Sequence, residues 1–255
     1  MNLVFASGFL VPQRLLGIDY FRGLPSHLQQ VGTGEALFPP VPPTATSDVR
    51  AEILADAIQQ AYPDGQIHII AHSMGGLDSR ILIARNLNGL ATPGRLASLT
   101  TLSTPHRGSP VADLIVGPRP DDARRILYDA VSGAIELFGI DIGALANLTT
   151  AAASIVPDVI ATHKHIRYRS YFACGRPGPL PTCLALAPTH HYILALTGQE
   201  NDGVVEKSSA MYGEFQTPFW RCDHADMVGH NLDTADLGNF KFDHFAAFDA
   251  IISQL

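Results

Sequence analysis

The sequence predicts an α/β fold in which helices flank a mostly parallel β-sheet. Strand patterns and helix patterns alternate over the first two-thirds of the chain, which is the rhythm of consecutive β-α units. One apolar run, at residues 67–71, passes directly into a turn of small residues and then into a helix pattern. A helical stretch at residues 109–165 interrupts the alternation, and we interpret it as an insertion over one face of the sheet.

Each predicted element follows from its own residue pattern. Short apolar runs predict strands at residues 3–6, 67–71, 99–103 and 166–173, and a further apolar run at 193–197 is placed as a strand end. Helical spacing predicts helices at residues 24–31, 47–62 and 77–87, and a last helix in which Phe245, Phe248, Ile252 and Leu255 share a face. In the helix that starts at Ser47, the predicted apolar face consists of Val49, Ile53, Leu54, Ala57 and Ile58.

The 255 residues suffice for one large core, so we expect a single domain over residues 1–255 with a helical lid or cap at 109–165. Within that insertion, residues 123–140 and 144–155 have helical patterns. Its apolar side chains are Leu114, Ile115, Leu127, Ile135, Leu137, Phe138, Ile140, Leu145 and Leu148. A mobile lid over the active site and a fixed cap that enlarges the core both fit this composition.

The composition and the sequence pattern bear on the class of function. Lys and Arg number 17 against 24 Asp and Glu, and with a net charge of -7 nothing is basic enough to suggest a nucleic-acid partner. No apolar run reaches the roughly 18 residues of a transmembrane segment. Residues 1–6 have a strand pattern and no signal-peptide pattern, so we expect a cytoplasmic protein or a secreted one whose leader was removed. The three cysteines fit one disulfide or three free thiols.

The turn after residues 67–71 has the pattern of a nucleophile elbow. Its pentapeptide, Ala-His-Ser-Met-Gly at 71–75, matches G-x-S-x-G with Ala71 in place of the first glycine. This motif sets a serine hydroxyl above the sheet on a strained turn, and small neighbours are needed because they pack close to that turn. Ser73 is therefore the predicted nucleophile of an α/β-hydrolase fold. The backbone N–H of Met74, at the start of a helix, is a predicted oxyanion donor.

A second oxyanion donor is expected from the turn after the first strand. Ser7 and Gly8 follow that strand, and in the α/β-hydrolase fold a backbone N–H of this loop completes the oxyanion hole. We assign it to Phe9, with Leu10 as the alternative.

A serine nucleophile needs a base and an acid, which in this fold follow it in the order Asp or Glu, then His. Asp202, in the segment Asn-Asp-Gly-Val-Val at 201–205, is the best candidate acid, although a plain Asn-Asp-Gly turn has the same pattern. Three of the 11 histidines follow Asp202, and His244 is placed on the last helix. Spacing alone leaves His224 and His230 as alternatives for the base.

Taken together, the elbow, the segment at 201–205 and the segment around His224 resemble the bacterial true lipases of the Pseudomonas and Burkholderia type. Residues 17–21 and 104–109 look like further loops of those enzymes. The resemblance implies that Asp202 is the catalytic acid. The ten residues between Gly213 and His224 match the family's spacing to its catalytic histidine, which implies His224 as the base.

The resemblance also implies a structural calcium ion, but the sequence departs from the family there. Asp226 is at one ligand position, His230 replaces a residue that is usually Gln, and the other aspartate has no clear match. Because calcium prefers oxygen ligands, we expect calcium binding to be weak or absent, and no cofactor. Other histidine pairs, at 163/165 and 190/191, are interpreted as scattered surface residues and not as a zinc site. Ser7 also replaces a family histidine, and Lys207-Ser208 stands where a family cysteine would be.

The predicted function is a serine carboxylester hydrolase, foremost a lipase that acts on acylglycerols or similar apolar esters, also at a lipid–water interface. The alternatives are a short-chain esterase or polyester depolymerase with the same triad, and a non-catalytic relative that binds an apolar ligand. The ordered Ser73, Asp202 and His224 argue against the last, because a binding module has no need of all three.

Overall fold

The computed structural model describes residues 1–9, 14–15, 18–33, 36–43, 45–137, 142–231 and 241–255, and at 14–15, 18, 134–137, 142 and 144 it describes the backbone alone. The strands are β1 Asn2–Ala6, β2 Arg14–Leu15, β3 Ile18–Asp19, β4 Ala36–Leu37, β5 Ile67–His72, β6 Leu96–Leu102, β7 Arg167–Tyr171 and β8 Glu214–Phe215. The helices are α1 Leu24–Gln30, α2 Ser47–Ala61, α3 Gly75–Ala84, α4 Pro110–Val116, α5 Arg124–Leu137, α6 Ile142–Leu145, α7 Thr150–Ile155, α8 Ala187–Thr197, α9 Lys207–Ala210 and α10 His244–Ile252.

Within these ranges, the main sheet has the strand order β4-β1-β5-β6-β7-β8, and every neighbouring pair in it is parallel. The β2 and β3 strands form a separate antiparallel pair. The predicted α/β fold with a mostly parallel sheet and flanking helices is therefore confirmed. Because parallel strands end at the same edge of a sheet, the loops after β1, β5 and β6 meet there, which is where sites form in α/β folds.

The central strands are buried on both faces. In β1, Val4 packs into a cluster with residues of α2 and α3, whereas Leu3 and Phe5 pack into a second cluster with α1 and α10. In β5, Ile69 faces the first cluster and Ile70 the second. This alternation follows from the period of two in a strand, and it explains why the strands read as continuous apolar runs in the sequence.

Most predicted elements are confirmed, and three details were wrong. The run at 193–197 belongs to the helix α8 and is not a strand end. Residues 144–155 do not form one helix, because a short 3₁₀ helix, Ala146–Leu148, separates α6 from α7. In α2 the buried face consists of Ser47, Arg50, Ala51, Leu54, Ala55 and Ile58, whereas the predicted face member Val49 is 45% exposed. Tertiary packing, including a buried arginine, rotates that face away from the purely apolar pattern.

The helices of the predicted insertion pack next to the nucleophile elbow. Leu114, Ile115, Leu145 and Leu148 are buried in one cluster with Phe9, Met74 and Leu77, and Leu127 packs against it partly buried. The predicted apolar residues Phe138 and Ile140 lie outside the described residues, and the side chains of Ile135 and Leu137 do too. The helices of the predicted insertion therefore share one apolar cluster with Phe9 and Met74, at the edge of the sheet.

Two further features concern the whole chain. No disulfide joins any two of Cys174, Cys183 and Cys222, which agrees with the second of the two predicted alternatives. In the part of the chain that the structure describes, no helix has both the length and the apolar character to cross a membrane.

Candidate active site

Ser73 lies in a strained turn between β5 and α3. Its φ is 55°, a left-handed conformation that is uncommon for a residue other than glycine. Its backbone N–H donates to the carbonyl oxygen of Leu102 at 3.0 Å, so the neighbouring strand β6 holds the turn in place. Ser73 itself is 5% exposed. This is the geometry of a nucleophile elbow, in which strain is retained because the surrounding structure determines it.

Close packing around the turn explains its small residues. A Cβ at Gly75 would lie 2.5 Å from the carbonyl oxygen of Ala6, and one at Gly76 would collide with the side chain of Thr104. A Cβ is tolerated at residue 71, since Ala71 is fully buried and pairs in register with Ala6 of β1. The departure from the glycine motif therefore leaves the elbow intact.

Asp202 is fully buried, and both oxygens of its carboxylate accept hydrogen bonds. One oxygen accepts the backbone N–H groups of Val204 at 2.9 Å and Val205 at 2.8 Å. The other oxygen is 2.7 Å from Nδ1 of His224. Because a carboxylate can only accept, His224 donates its Nδ1–H to Asp202, which leaves Nε2 as the basic nitrogen of the neutral ring.

His224 is the histidine that the structure brings to Asp202. Its backbone N–H also donates to the Asp202 carbonyl oxygen at 3.1 Å, and its ring centroid lies 4.5 Å from that of His72, the residue before Ser73. Within the described contacts, the Ser73 hydroxyl makes no hydrogen bond to His224. In unliganded enzymes such bonds are often long and tighten when substrate binds. The structure thus pairs His224 with Asp202 and places the His224 ring beside His72, the residue that precedes Ser73.

His72 and Tyr20 form a neutral support next to this pair. The Tyr20 hydroxyl and His72 Nδ1 are 2.7 Å apart. Burial raises the pKa of the Tyr20 phenol, and burial also lowers the pKa of His72 well below its ordinary value. His72 is therefore neutral, and it places no second positive charge beside His224. The loop after β1 packs closely against Ser73, since a Cβ at Gly8 would lie 2.6 Å from the Ser73 Cβ.

The two predicted oxyanion donors lie in one buried cluster. Phe9 is 6% exposed and Met74 is fully buried. Within the described residues, neither backbone N–H donates to an acceptor. The alternative donor Leu10 lies outside the described residues.

Arg50, on α2, holds the loop after β1 in place. Its guanidinium donates to the carbonyl oxygens of Ser7 at 2.6 Å, Gly8 at 3.2 Å and Pro42 at 2.7 Å. Its Nε donates to Asp78 of α3 at 2.8 Å, and both side chains are almost completely buried. Burial raises the pKa of the Asp78 carboxyl to about 6, against the effect of the Arg50 charge. This network ties the elbow helix to the loop that carries Phe9.

The residues at the predicted calcium position do not fit a cation. The Asp226 carboxylate receives two hydrogen bonds from the guanidinium of Arg176, at 2.7 and 2.8 Å, so a positive group already lies against it. His230 Nε2 is 2.7 Å from the Tyr20 carbonyl oxygen, to which only a protonated nitrogen can bond, so that nitrogen is not free for a metal. Among the described residues, no three His, Cys, Asp or Glu side chains are grouped as metal ligands.

Several solved structures that superpose on this chain are named as lipases or esterases. The lipase of Staphylococcus hyicus superposes with a TM-score of 0.69 at 20% identity, covering 99% of this chain and 94% of the lipase. A carboxyl esterase from a metagenome superposes with a TM-score of 0.72 at 18% identity, covering 100% of this chain and 76% of the esterase. The sequence profile of the alpha/beta hydrolase fold also matches residues 18–139. The chain has the α/β-hydrolase fold.

The chain has sequence relatives among the triacylglycerol lipases. Triacylglycerol lipase 2 of Saccharomyces cerevisiae is 29% identical over 221 residues, which cover 84% of this chain and 63% of the yeast protein. A triacylglycerol lipase of Vibrio cholerae is 24% identical over 255 residues, which cover 89% of this chain and 78% of that protein. The chain thus spans less than two-thirds of the length of the yeast relative.

Some residues of the α/β hydrolase's site escape a motif search. Arg50, Asp78 and Arg176 belong to no local motif and act through partners distant in the sequence. One signal for Arg50 exists, because it lies four residues before Leu54 on the buried side of α2, and a charged residue there needs a partner. Tyr20 carries no such signal.

We expect Arg50→Ala to destabilise the fold by about 3–5 kcal/mol, because it leaves the buried Asp78 carboxylate and three carbonyl groups without their partner. Arg85→Ala is the matched control, since Arg85 and Asp48 also join α3 to α2 but are about half exposed. That variant should change stability by roughly 0.5 kcal/mol or less. Urea denaturation measures both, and equal losses would contradict the assigned role of Arg50.

Proposed function

We propose that the chain is a serine carboxylester hydrolase, and more specifically a lipase that cleaves acylglycerols or similar apolar esters through an acyl-enzyme on Ser73. The observation that carries the proposal is the 2.7 Å hydrogen bond between Asp202 and His224 beside the strained turn at Ser73. The triacylglycerol lipases among the relatives support the substrate class. No metal or cofactor takes part in the proposed steps.

In the first half-reaction, Ser73 Oγ attacks the acyl carbon of the ester while His224 Nε2 takes the hydroxyl proton. The carbonyl oxygen becomes an oxyanion, which accepts hydrogen bonds from the backbone N–H groups of Phe9 and Met74. The intermediate collapses, the bond to the alcohol breaks, and His224 returns the proton to the leaving alkoxide. Asp202 keeps the ring oriented and stabilises its charged form.

In the second half-reaction, a water molecule attacks the acyl carbon of the ester on Ser73. His224 Nε2 takes a proton from this water, and the same N–H groups stabilise the second oxyanion. The bond to Ser73 Oγ then breaks, the serine recovers its proton from His224, and the carboxylic acid leaves. The products are one alcohol and one acid for each ester and water consumed.

The inserted helices give the lipase its proposed preference for apolar substrates. Leu114, Ile115, Leu145 and Leu148 lie against Phe9 and Met74, so an acyl chain held at the oxyanion hole meets an apolar wall. We propose that residues 109–165 are a lid or cap within a single domain. A short-chain esterase or polyester depolymerase with the same triad is the second candidate, favoured by the structural likeness to a carboxyl esterase.

Replacement of the nucleophile tests the reaction class. Ser73→Ala should retain only the rate that binding and the oxyanion hole supply, ~10³-fold over water. It should also lose covalent labelling by a fluorophosphonate, because no hydroxyl remains to attack phosphorus. Turnover of p-nitrophenyl butyrate and gel detection of the label measure these effects, with wild-type protein as the positive control. Near-wild-type turnover by Ser73→Ala would exclude this mechanism.

The choice of base is tested by two histidine variants. His224→Ala should be about as inactive as Ser73→Ala, because nucleophile and base act as a unit. His230→Ala should keep most of its kcat, because His230 bonds to the Tyr20 backbone and not to Asp202. Values of kcat/KM for p-nitrophenyl butyrate, with the melting temperature of each variant, measure the difference. An inactive His230→Ala beside an active His224→Ala would reverse the assignment.

A mobile lid makes the rate depend on the lipid surface. The rate on tributyrin should rise steeply as its concentration passes the solubility limit, because the surface offers a partner to the apolar face of an open lid. Ile126→Asp should weaken this rise, since Ile126 of α5 is 80% exposed, while turnover of a soluble ester stays the same. Val49→Asp on α2 is the control outside the insertion. A smooth saturation curve through the limit would favour the fixed cap.

A further inference from the structure

Arg176 lies between two buried carboxylates of the loop that carries His224. Its guanidinium bonds to Asp226 through Nε at 2.7 Å and Nη2 at 2.8 Å, and Nη2 lies 3.1 Å from Asp223. Arg176 is 9% exposed, Asp226 is 6% exposed and Asp223 is fully buried. A two-pronged arginine–carboxylate contact of this kind fixes direction as well as distance.

The two carboxylates also fold the loop on either side of His224. Asp223 accepts the backbone N–H groups of Ala225 and Asp226, each at 3.0 Å, and of Cys183 at 2.8 Å. Asp226 accepts the N–H of Asp223 at 2.9 Å. Two buried negative charges this close repel each other, so the loop conformation requires a positive group between them.

The backbone on both sides of Arg176 is anchored to the same part of the fold. The backbone N–H of Arg176 donates to the carbonyl oxygen of Pro181 at 2.6 Å. The N–H of Gly175 donates at 2.9 Å to the carbonyl oxygen of Cys222, which lies two residues before His224. The guanidinium is therefore held by a segment that itself runs beside the His224 loop. Movement of the loop away from Asp202 would have to break the contacts of Arg176 first.

We propose that Arg176 is a positioning residue that does for the His224 loop what a bound divalent cation would do. It neutralises and joins Asp223 and Asp226, and through them it holds His224 at Asp202. A cation at Asp226 would lie against the guanidinium and be repelled by it, so the loop is locked without calcium. The inference rests on the proposed function for the statement that His224 acts as the base.

The test compares Arg176→Ala and Arg176→Lys with the wild type. Arg85→Ala is the control, because Arg85 also pairs with a carboxylate, that of Asp48, but both side chains are about half exposed and lie outside residues 109–165. Arg176→Ala should lower kcat for p-nitrophenyl butyrate on the order of 10²-fold with little change in KM, because a displaced base slows chemistry more than binding. Arg176→Lys should fall between, since lysine offers one point charge, and Arg85→Ala should match the wild type.

One readout separates positioning from general destabilisation. The low-field proton resonance of His224 Nδ1–H, assigned with His224→Ala, should disappear in Arg176→Ala and persist in Arg85→Ala. This resonance needs no turnover, so it tests Arg176 even if the wild type cleaves no ester, an outcome that would overturn the proposed function alone.

The metal comparison uses the wild type. EDTA and added CaCl2 should each leave its melting temperature unchanged, whereas Arg176→Ala should melt lower by more than about 6 °C in either solution. A wild type that loses stability in EDTA and regains it with CaCl2 would overturn the proposal. So would an Arg176→Ala variant that keeps the wild-type kcat and the low-field resonance.

Discussion

The strained turn at Ser73 is the constraint on which the rest of the site depends. A left-handed backbone at a serine is costly, and it persists only where the surroundings leave no alternative. Here the Ser73 N–H donates to the backbone of β6, and the carbonyl groups of Ala6 and Ser7 pack closely against Gly75. The side chain of Thr104 fills the space beside Gly76. The ends of three parallel strands thus converge on one turn, and the same convergence brings Phe9 next to Met74.

Buried charges secure the loops that the sheet alone does not fix. Arg50 joins α2, α3 and the loop after β1, and Arg176 joins the segment after β7 to the loop of His224. Removing an ion from water is expensive, so each guanidinium is retained only because several acceptors surround it. The loop that carries Phe9 and the loop that carries His224 each have an arginine of their own.

Uncharged groups complete the environment of His224. His72 lies against its ring, and burial keeps His72 neutral while its Nδ1 is paired with Tyr20. A second charged imidazole at this place would oppose proton uptake by His224. Polar residues therefore surround the proposed base without competing for its proton.

The sequence by itself determined the parallel α/β architecture and the elbow, because both depend on local patterns. Apolar runs predict buried strands, and the small residues at 71, 75 and 76 predict a tight turn. Both predictions need only residues that are close together in the sequence. The sequence also shows that Ser73, Asp202 and the candidate histidines follow one another in the order that the fold requires. Spacing alone did not separate His224 from His230, and the resemblance to known lipases was needed to choose between them.

Only the tertiary structure decided which polar side chains meet. Asp202 follows a helix and not a strand, and the Arg50 side chain is buried in the core. Arg176 bonds to Asp226, the residue at the predicted calcium position. These contacts join residues 22 to 50 positions apart, so no local periodicity in the sequence predicts them. A local pattern reports which side of an element is buried, whereas the partner of a buried charge depends on how distant elements pack together.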